Sequence, residues 1–372
     1  MRRLLVVAVA ALVLVPSALA EPPAVTARSY LVLDARTGEV LASRDAHARV
    51  PIASITKLMT VLVALERAHV DRDVVVSRQA DVVGESTVNL SAGERLSLGD
   101  LIKAALIQSA NDAAYAIAAG ISRGSVGSFV AAMNAKATRL GLRDTHFVRP
   151  DGLDTSGHYS SAWDVTRLAR VAMRKPFVRE VVRRRTDVIA GGRRLQTWND
   201  LLGSFPGLLG VKTGHTAAAG WCEVSAVRAR GVTIYATILG SPSRAQRNNE
   251  LAALLRWGLS RYRVSRVISA GRTYARVATG YGRGSLPLVA TSAARRPVRI
   301  GRALVERVVA ARAVALPVRA RTRLGTVRIF AGRRLVATRP LVASRTIERP
   351  GMTSRVRFYA RRAVSHAWGW VT

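Results

Sequence analysis

The order of strand-like and helix-like segments is the feature that most constrains the fold of this chain. Residues 30–34 and 39–43 alternate in polarity around the turn sequence Arg36-Thr37-Gly38, which predicts a hairpin. After a long helical middle, strand character returns at residues 208–213, 221–227 and 232–239. This order of strands, helices and strands favours an α+β domain whose mostly antiparallel sheet is assembled from both ends of the segment.

Helical signals fill the middle of the chain. Leu58, Leu62 and Leu65 have helical spacing and predict a helix over residues 54–67. The sequence Ser97-Leu98-Gly99-Asp100 resembles a capping box and predicts a helix that runs to residue 108. Further helices are predicted over residues 111–120, 125–140, 161–175 and 244–261.

Residues 1–20 have the three-part pattern of a secretory signal peptide. Arg2 and Arg3 precede an apolar run over residues 4–15, and Ala18-Leu19-Ala20 provides small residues for cleavage. A retained membrane span is the alternative, but the run is shorter than the ~20 residues such a helix needs. We therefore predict an exported protein, either secreted or held on the cell-wall side of the cytoplasmic membrane.

Length and composition indicate a folded protein of more than one domain. A chain of 372 residues with 49% hydrophobic content is long enough for about two domains with hydrophobic cores. The single cysteine, Cys222, excludes an internal disulfide, and its apolar surroundings predict a buried structural thiol. We predict one domain at residues 21–262 and a small β domain at residues 263–353, where short β-like runs are broken by Gly and Pro.

The C-terminal region carries most of the excess positive charge. Residues 261–372 contain 25 arginines and only two acidic residues. Such a region suits an anionic membrane, an acidic wall polymer or nucleic acid, and nucleic acid is the weakest option because no recognition motif is present. On a helical wheel, residues 354–372 form a basic amphipathic helix. This helix is interpreted either as a membrane anchor or as a helix packed on the β domain.

Two of the chain's five lysines lie in motifs with chemical meaning. Lys57 is three residues after Ser54, so on a helix the two side chains share a face and can meet. A serine hydroxyl becomes a good nucleophile when a base takes its proton, and lysine serves as that base only when it is neutral. The second cation is Lys212: at ~4 Å and an effective dielectric of ~20, it would lower the pKa of Lys57 by about three units.

Ser109-Ala110-Asn111 lies between these motifs, at a predicted helix junction. Ser109 is a candidate proton relay, and Asn111 is a candidate binder of a substrate amide. The Lys-Thr-Gly motif at 212–214 offers donors to a carboxylate, and Gly214 leaves room for substrate backbone beside the strand. Taken singly, these motifs also suit a helix cap, a polar surface and a turn; their combination points to an active site.

The combination resembles the motifs of penicillin-binding proteins and serine β-lactamases. It is more closely similar to the low-molecular-weight D-alanyl-D-alanine carboxypeptidases of peptidase family S11, over about residues 25–262. The segments that carry the resemblance are Pro51-Ile52-Ala53-Ser54-Ile55-Thr56-Lys57-Leu58-Met59-Thr60, Ser109-Ala110-Asn111-Asp112-Ala113, Thr145-His146-Phe147, Asp151-Gly152-Leu153-Asp154, Tyr159-Ser160-Ser161-Ala162 and Gly210-Val211-Lys212-Thr213-Gly214-His215-Thr216. The resemblance implies the penicillin-binding-protein fold, an antiparallel sheet flanked by helices with a helical subdomain, followed by a small all-β domain.

The resemblance also implies a role for each motif residue. It makes Ser54 the acylated nucleophile, Lys57 the base and Ser109 the proton relay. The substrate-binding groups are Asn111, Lys212, Thr213, Gly214 and His215. Backbone N–H groups of Ser54 and His215 would form the oxyanion hole. Many relatives carry an arginine for the substrate carboxylate after the last strand; an ungapped comparison places Pro242 there, and Arg244 is the candidate replacement.

The implied activity is removal of the terminal D-alanine from peptidoglycan stem peptides ending in D-Ala-D-Ala, with β-lactams as covalent inhibitors. No metal or organic cofactor is implied, because the six histidines form no ligand spacing. A β-lactamase is disfavoured by Ala110, where one large class has Asp, and by the lack of an obvious Glu-x-x-Leu-Asn segment. The motifs also suit an endopeptidase of the same fold, and the basic C-terminal region also suits a non-catalytic wall-binding protein.

Overall fold

A computed structural model of the chain describes residues 4–12 and 21–368, and its contacts form two units. One unit is Ala20–Ser260, and the other combines the first strand with the residues from Arg261 onward. The α-helices are α1 (Lys57–Arg67), α2 (Arg78–Asp81), α3 (Leu98–Lys103), α4 (Asn111–Ile121), α5 (Val126–Leu140), α6 (Ala162–Ala172), α7 (Pro176–Val181), α8 (Arg244–Ser260) and α9 (Met352–Trp368). The strands are β1 (Leu4–Leu12), β2 (Ser29–Asp34), β3 (Val40–Arg44), β4 (Asp73–Val75), β5 (Arg95–Ser97), β6 (Thr186–Ile189), β7 (Arg193–Gln196), β8 (Leu208–Thr216), β9 (Gly220–Ala229), β10 (Val232–Ser241), β11 (Tyr262–Ile268), β12 (Thr273–Thr279), β13 (Ser285–Ala290), β14 (Ala294–Arg299), β15 (Leu304–Ala311), β16 (Ala313–Val314), β17 (Arg323–Ala331) and β18 (Arg334–Ala343).

The first unit is built on a five-stranded antiparallel sheet with the order β3-β2-β10-β9-β8. The N-terminal hairpin of β2 and β3 joins the later strands through β2 and β10, where Val32 is paired with Ala236. This arrangement confirms the predicted α+β class and a sheet that is assembled from both ends of the segment.

Helices cover both faces of this sheet. On one face α8 packs closely because Gly258 has no side chain: a Cβ there would lie 2.9 Å from Ile234 and 3.1 Å from Val32. On the other face α6 reaches the sheet, where the hydroxyl oxygens of Thr166 and Thr237 lie 2.6 Å apart. Positions 234 and 237 differ by three, an odd number, so their side chains project to opposite faces of β10.

The helical subdomain packs around α4, which contacts α1, α2, α3 and α5. Every residue of α4 except Gly120 is buried. The ends of its neighbours follow the sequence signals. Ser97 Oγ accepts a hydrogen bond from the Asp100 N–H at 3.0 Å, and Gly141 ends α5 in a left-handed conformation.

Several elements differ from the prediction. The helix predicted from residue 54 begins as a 3-10 turn, Ala53–Thr56, and α3 continues into a π-helical turn, Ala104–Gln108. The helix predicted to reach residue 175 ends at Ala172, and Pro176 then begins α7. Helix α2 and the ladders β4–β5 and β6–β7 were missed, because elements of three or four residues are too short to show a period.

The second unit is mainly β. Its seven-stranded sheet has the order β1-β15-β17-β18-β13-β12-β16, and β11 and β14 form a separate ladder. Its core includes Val277, Val327 and Leu341. Helix α9 packs on this unit through Phe358, whose ring centroid lies 5.9 Å from that of Tyr281.

The two ends of the chain are described only in part. Strand β1 falls within the predicted signal segment and pairs with β15. The predicted cleavage site at residues 18–20 and the last four residues of the predicted terminal helix lie outside the described residues. Among the described residues, no single helix has the length and hydropathy of a membrane span. Helices α4 and α5 have the required length and hydropathy only when taken together, as a pair bent by 92°.

Candidate active site

Ser54 lies in a tight turn at the start of the buried helix α1. The preceding residue, Ala53, has a positive φ of 49°, which is unusual for a residue with a side chain. The turn is pressed against β8: a Cβ on Gly214 would lie 2.8 Å from the carbonyl oxygen of Ile52 and 3.0 Å from the amide nitrogen of Ser54. Because glycine permits this approach, Ser54 and the edge of β8 form two sides of one cleft.

Lys57 lies next to Ser54 and is completely buried. Its Nζ donates hydrogen bonds to Ser54 Oγ at 2.7 Å, to Asn111 Oδ1 at 2.7 Å and to the carbonyl oxygen of Asp151 at 2.9 Å. Burial lowers the pKa of Lys57 from 10.5 to about 8, although nearby carboxylates oppose this shift. The amine therefore gains and loses its proton near neutral pH, within hydrogen-bond distance of the serine hydroxyl.

Ser109 and Asn111 are presented by the junction between the π-helical turn and α4. Ser109 has a left-handed backbone, with φ 66° and ψ 26°, which turns the chain between the two helices. Its Oγ accepts a hydrogen bond from Lys212 Nζ at 2.8 Å. The side-chain amide of Asn111 accepts from Lys57 and donates to the carbonyl oxygen of Gly84 at 3.0 Å. These two bonds fix the orientation of the amide.

Lys212 is buried on β8 and donates a second hydrogen bond to the carbonyl oxygen of Thr213 at 2.9 Å. Burial, and then the charge of Lys57, hold the pKa of Lys212 well below its ordinary value. The two lysines do repel each other, but the effect falls on Lys212; the sequence predicted that Lys212 would lower the pKa of Lys57, and that effect is not seen. Burial is nevertheless the larger effect, and it is also the main cause of the lowered pKa of Lys57.

A cleft of about 250 Å³ opens between these groups. Its lining contains the predicted residues Ser54, Ser109, Asn111, Thr213, Gly214 and His215, and also Glu85, Ser86, Leu153, Trp198, Trp221 and Arg247. Lys57 and Lys212 are buried beside it, each bonded to one of its serines. The structure thus brings all the predicted site residues together.

Sequence reasoning missed the second group of lining residues. Of these, only Leu153 lies in a segment that carries the family resemblance; the others are isolated in sequence and gave no signal. Trp221 stacks on His215 with ring centroids 4.0 Å apart, so the missed residues also shape the predicted ones. Within the described part of the chain, no three His, Cys, Asp or Glu side chains are arranged to hold a metal ion.

The arginine that lines the cleft differs from the candidate chosen from the sequence. Arg244 forms a bidentate ion pair with Asp200, at 2.5 and 2.8 Å, and does not line the cleft. Arg247, one turn further along α8, lines it instead, with its side chain only 1% exposed. Asp200 and Glu223 hold Arg247 at 3.0 and 3.2 Å. The ungapped comparison pointed to Pro242, before α8, whereas Arg247 lies on the helix itself.

Comparisons with known proteins point to one family. The family model described as D-alanyl-D-alanine carboxypeptidase, Peptidase_S11, matches residues 17–243. The chain is 30% identical over 275 residues to the D-alanyl-D-alanine carboxypeptidase DacF of Bacillus subtilis, covering 72% of this chain and 70% of the relative. It is 29% identical over 356 residues to DacD of Salmonella typhimurium, covering 91% of each.

A solved structure extends the likeness to the fold of nearly the whole chain. Penicillin-binding protein 5 of Haemophilus influenzae superposes with a TM-score of 0.65 at 24% identity, covering 89% of this chain and 100% of that one. This likeness confirms the predicted penicillin-binding-protein fold. Because the family model spans more than half of the sequence, the chain belongs to the D-alanyl-D-alanine carboxypeptidases of peptidase family S11, which are serine-type peptidases.

Proposed function

We propose that the protein removes the terminal D-alanine from peptidoglycan stem peptides through an acyl-enzyme on Ser54. The observation that carries this proposal is the 2.7 Å bond between Lys57 Nζ and Ser54 Oγ, made by an amine whose pKa burial lowers to about 8. At that pKa about a tenth of the amine is neutral at pH 7, which is enough for a general base.

The reaction follows from the hydrogen bonds of the two lysines. Lys57 takes the Ser54 proton as Oγ attacks the carbonyl carbon of the penultimate D-alanine. The oxyanion is received by the backbone N–H groups of Ser54 and His215. The peptide C–N bond then breaks, and the proton that Lys57 took passes through Ser109, which is held by its bond to Lys212, to the departing D-alanine amine. Water next attacks the ester carbonyl while Lys57, neutral again, takes a proton from it. The ester C–O bond breaks, the shortened peptide leaves as the acid, and Lys57 returns the proton to Ser54 Oγ.

Substrate binding is assigned to the opposite edge of the cleft. Lys212, Thr213 and Arg247 supply cationic and hydroxyl donors suited to a terminal carboxylate. Asn111 presents an amide that is fixed by Lys57 and Gly84 and suits a substrate peptide group. The cleft of about 250 Å³ matches a substrate end with two methyl side chains better than a bulky one.

Covalent labelling tests the proposal directly. The purified protein is incubated with penicillin, and the adduct is located by intact mass and peptide mapping, with Ser54→Ala as the matched control. We expect one adduct, on the peptide that contains Ser54. The labelled protein should no longer release D-alanine from a peptide ending in D-Ala-D-Ala. An adduct that forms equally well on Ser54→Ala would refute the assignment. Rapid hydrolysis of the adduct would indicate a β-lactamase instead.

Export and membrane attachment complete the proposal. The pattern of residues 1–20 supports export, and α9 supports attachment. Met352, Val356 and Tyr359 lie on one face of α9 and are 74%, 63% and 56% exposed, next to a basic face. Cell fractionation with and without residues 354–372 tests attachment: the full chain should sediment with membranes and the truncated chain should not.

A further inference from the structure

The segment 149–152 lies along the same face of α1 that carries the base. The carbonyl oxygen of Asp151 accepts from Lys57 Nζ at 2.9 Å, and that of Pro150 accepts from Thr60 Oγ1 at 2.6 Å. At Gly152 the approach is closer still, because a Cβ there would lie 2.1 Å from the carbonyl oxygen of Ala53. The segment therefore touches Ala53, Lys57 and Thr60, three residues that lie about one turn apart around the nucleophile and its base.

A buried ion pair shapes this segment. The Asp151 carboxylate is fully buried, and Arg149 binds it in a bidentate manner, with Nε at 2.6 Å and Nη2 at 2.8 Å. The guanidinium in turn lies over the ring of Tyr115 on α4, 5.8 Å from its centroid. A buried carboxylate without a partner is strongly destabilising, so the bidentate contact with Arg149 stabilises Asp151 at this position.

The same segment continues into the wall of the cleft. The N–H of Leu153 donates to Asp151 Oδ1 at 3.3 Å, and Leu153 lines the cleft. Asp154 then accepts from Thr216 Oγ1 at 2.6 Å and from the N–H of Ala218 at 3.0 Å, beside the end of β8. Residues 149–154 thus connect α1 to β8 across the active site.

Charged groups face Lys57 from every element packed around it. After burial, the strongest influence on the pKa of Lys57 is the carboxylate of Asp151, which raises it; Asp112 on α4 and Glu85 in the loop after α2 act in the same direction. Arg149 acts in the opposite direction. Lys212 faces Lys57 from β8, and the repulsion between the two lowers the pKa of Lys212. The two members of the ion pair, Asp151 and Arg149, therefore shift the pKa of Lys57 in opposite directions.

We propose that the Arg149–Asp151 pair is a positioning element for the reaction, which holds the Asp151 carbonyl against Lys57 and balances the charge around that amine. This inference rests on the proposed role of Lys57 as the base. A purely structural ion pair would impair activity in the same way whichever partner is removed. A charge-balancing pair behaves differently. Removal of Asp151 and removal of Arg149 must shift the protonation equilibrium of Lys57 in opposite directions.

The test compares Asp151→Asn with Arg149→Met in the full chain. The measurement is the second-order rate of acylation by penicillin as a function of pH, whose acidic limb reports the loss of the Lys57 proton in the free enzyme. Asp151→Asn removes a negative charge, so the limb should move to lower pH by about one unit. Arg149→Met removes a positive charge, so the limb should move to higher pH by a similar amount.

Matched controls use the surface pair Arg184 and Asp187, which has the same residue types. Arg184→Met and Asp187→Asn should leave the acidic limb at its wild-type pH. Arg149→Lys keeps the positive charge, so its acidic limb should lie close to that of the wild type. Limbs that stay unmoved, or that move in the same direction for both partners, would overturn the inference. If Arg149→Met does not fold, Asp151→Asn and Arg149→Lys still decide it. A wild-type protein that forms no Ser54 adduct would instead count against the proposed function.

Discussion

Replacing Asn111 by Asp is the sharpest probe of the proposed base, because it changes one charge with almost no change in shape. Asn111 Oδ1 lies 2.7 Å from Lys57 Nζ, so the introduced carboxylate would contact the ammonium directly. At that distance and an effective dielectric of ~20, the attraction is about 6 kcal/mol, or about 4 pKa units. If relaxation removes half of it, the pKa of Lys57 still rises by about 2 units.

The rate follows from the neutral fraction of Lys57. With a pKa of about 8, half of the amine is neutral at pH 8, and a rise of about 2 units leaves roughly one hundredth. We therefore expect acylation by penicillin to be about 50-fold slower at pH 8 in Asn111→Asp, with much of the loss recovered at pH 10. The assay is the time course of the Ser54 adduct by intact mass between pH 7 and 10.

Asn111→Ala is the matched control, because it removes the proposed substrate contact and the bonds to Lys57 and Gly84 without adding charge. It should lower the rate at all pH values while its acidic limb stays within about one unit of the wild-type limb. If Asn111→Asp reacts at the wild-type rate at pH 8, or loses activity without a shift of the limb, then Lys57 is not the base.

Three further predictions concern neighbouring groups. Arg247→Met should reduce the preference for a peptide with a free terminal carboxylate over its C-terminal amide by about tenfold, measured as the ratio of kcat/KM, whereas Arg244→Met should not. Cys222 is buried, which raises its pKa to about 11, so a thiol reagent at pH 8 should label only the unfolded chain; fast labelling of the native protein would contradict this. Gly152→Ala should lower the free energy of unfolding in urea by about 3 kcal/mol, because its Cβ meets a backbone oxygen at 2.1 Å; Gly93→Ala, with a similar φ but open space, should cost only about 1 kcal/mol.

Local spacing was sufficient to predict much of the site. The interval between Ser54 and Lys57 predicted a contact, and the two side chains meet at 2.7 Å although a 3-10 turn precedes the α-helix. The position of Asn111 at a helix junction also agrees with the structure. In each of these cases the relevant geometry is set within one or two turns of chain, where residue type and spacing determine it.

What could not be predicted depends on contacts between distant segments. Arg247 reaches the cleft because α8 folds back over the sheet and Glu223 on β9 holds the guanidinium, 24 residues apart in sequence. Glu85 and Trp198 enter the lining from loops without a motif. The left-handed backbone of Ser109 is likewise a product of packing between the π-helical turn and α4, since its residue type does not require it.

The protonation states of the two buried lysines are linked, because burial and mutual repulsion disfavour the state in which both are charged. In the free enzyme burial and the charge of Lys57, the proposed base, both hold the pKa of Lys212 well below its ordinary value, so a charged Lys57 disfavours the charged form of Lys212. A substrate carboxylate beside Lys212 and Arg247 would favour the charged form of Lys212. Protonation of Lys212 then disfavours the charged form of Lys57, so substrate binding itself would free the base.

This coupling makes a kinetic prediction that separates it from a simple base. The acidic limb of kcat reports the enzyme with substrate bound, and that of kcat/KM reports the free enzyme. For a peptide ending in a carboxylate, the kcat limb should lie at lower pH than the kcat/KM limb. For the corresponding C-terminal amide the two limbs should coincide, because that substrate has no carboxylate to favour the charged form of Lys212. Equal separation for both substrates would mean that the carboxylate does not act through Lys212, and that Lys57 owes its neutral form to burial alone.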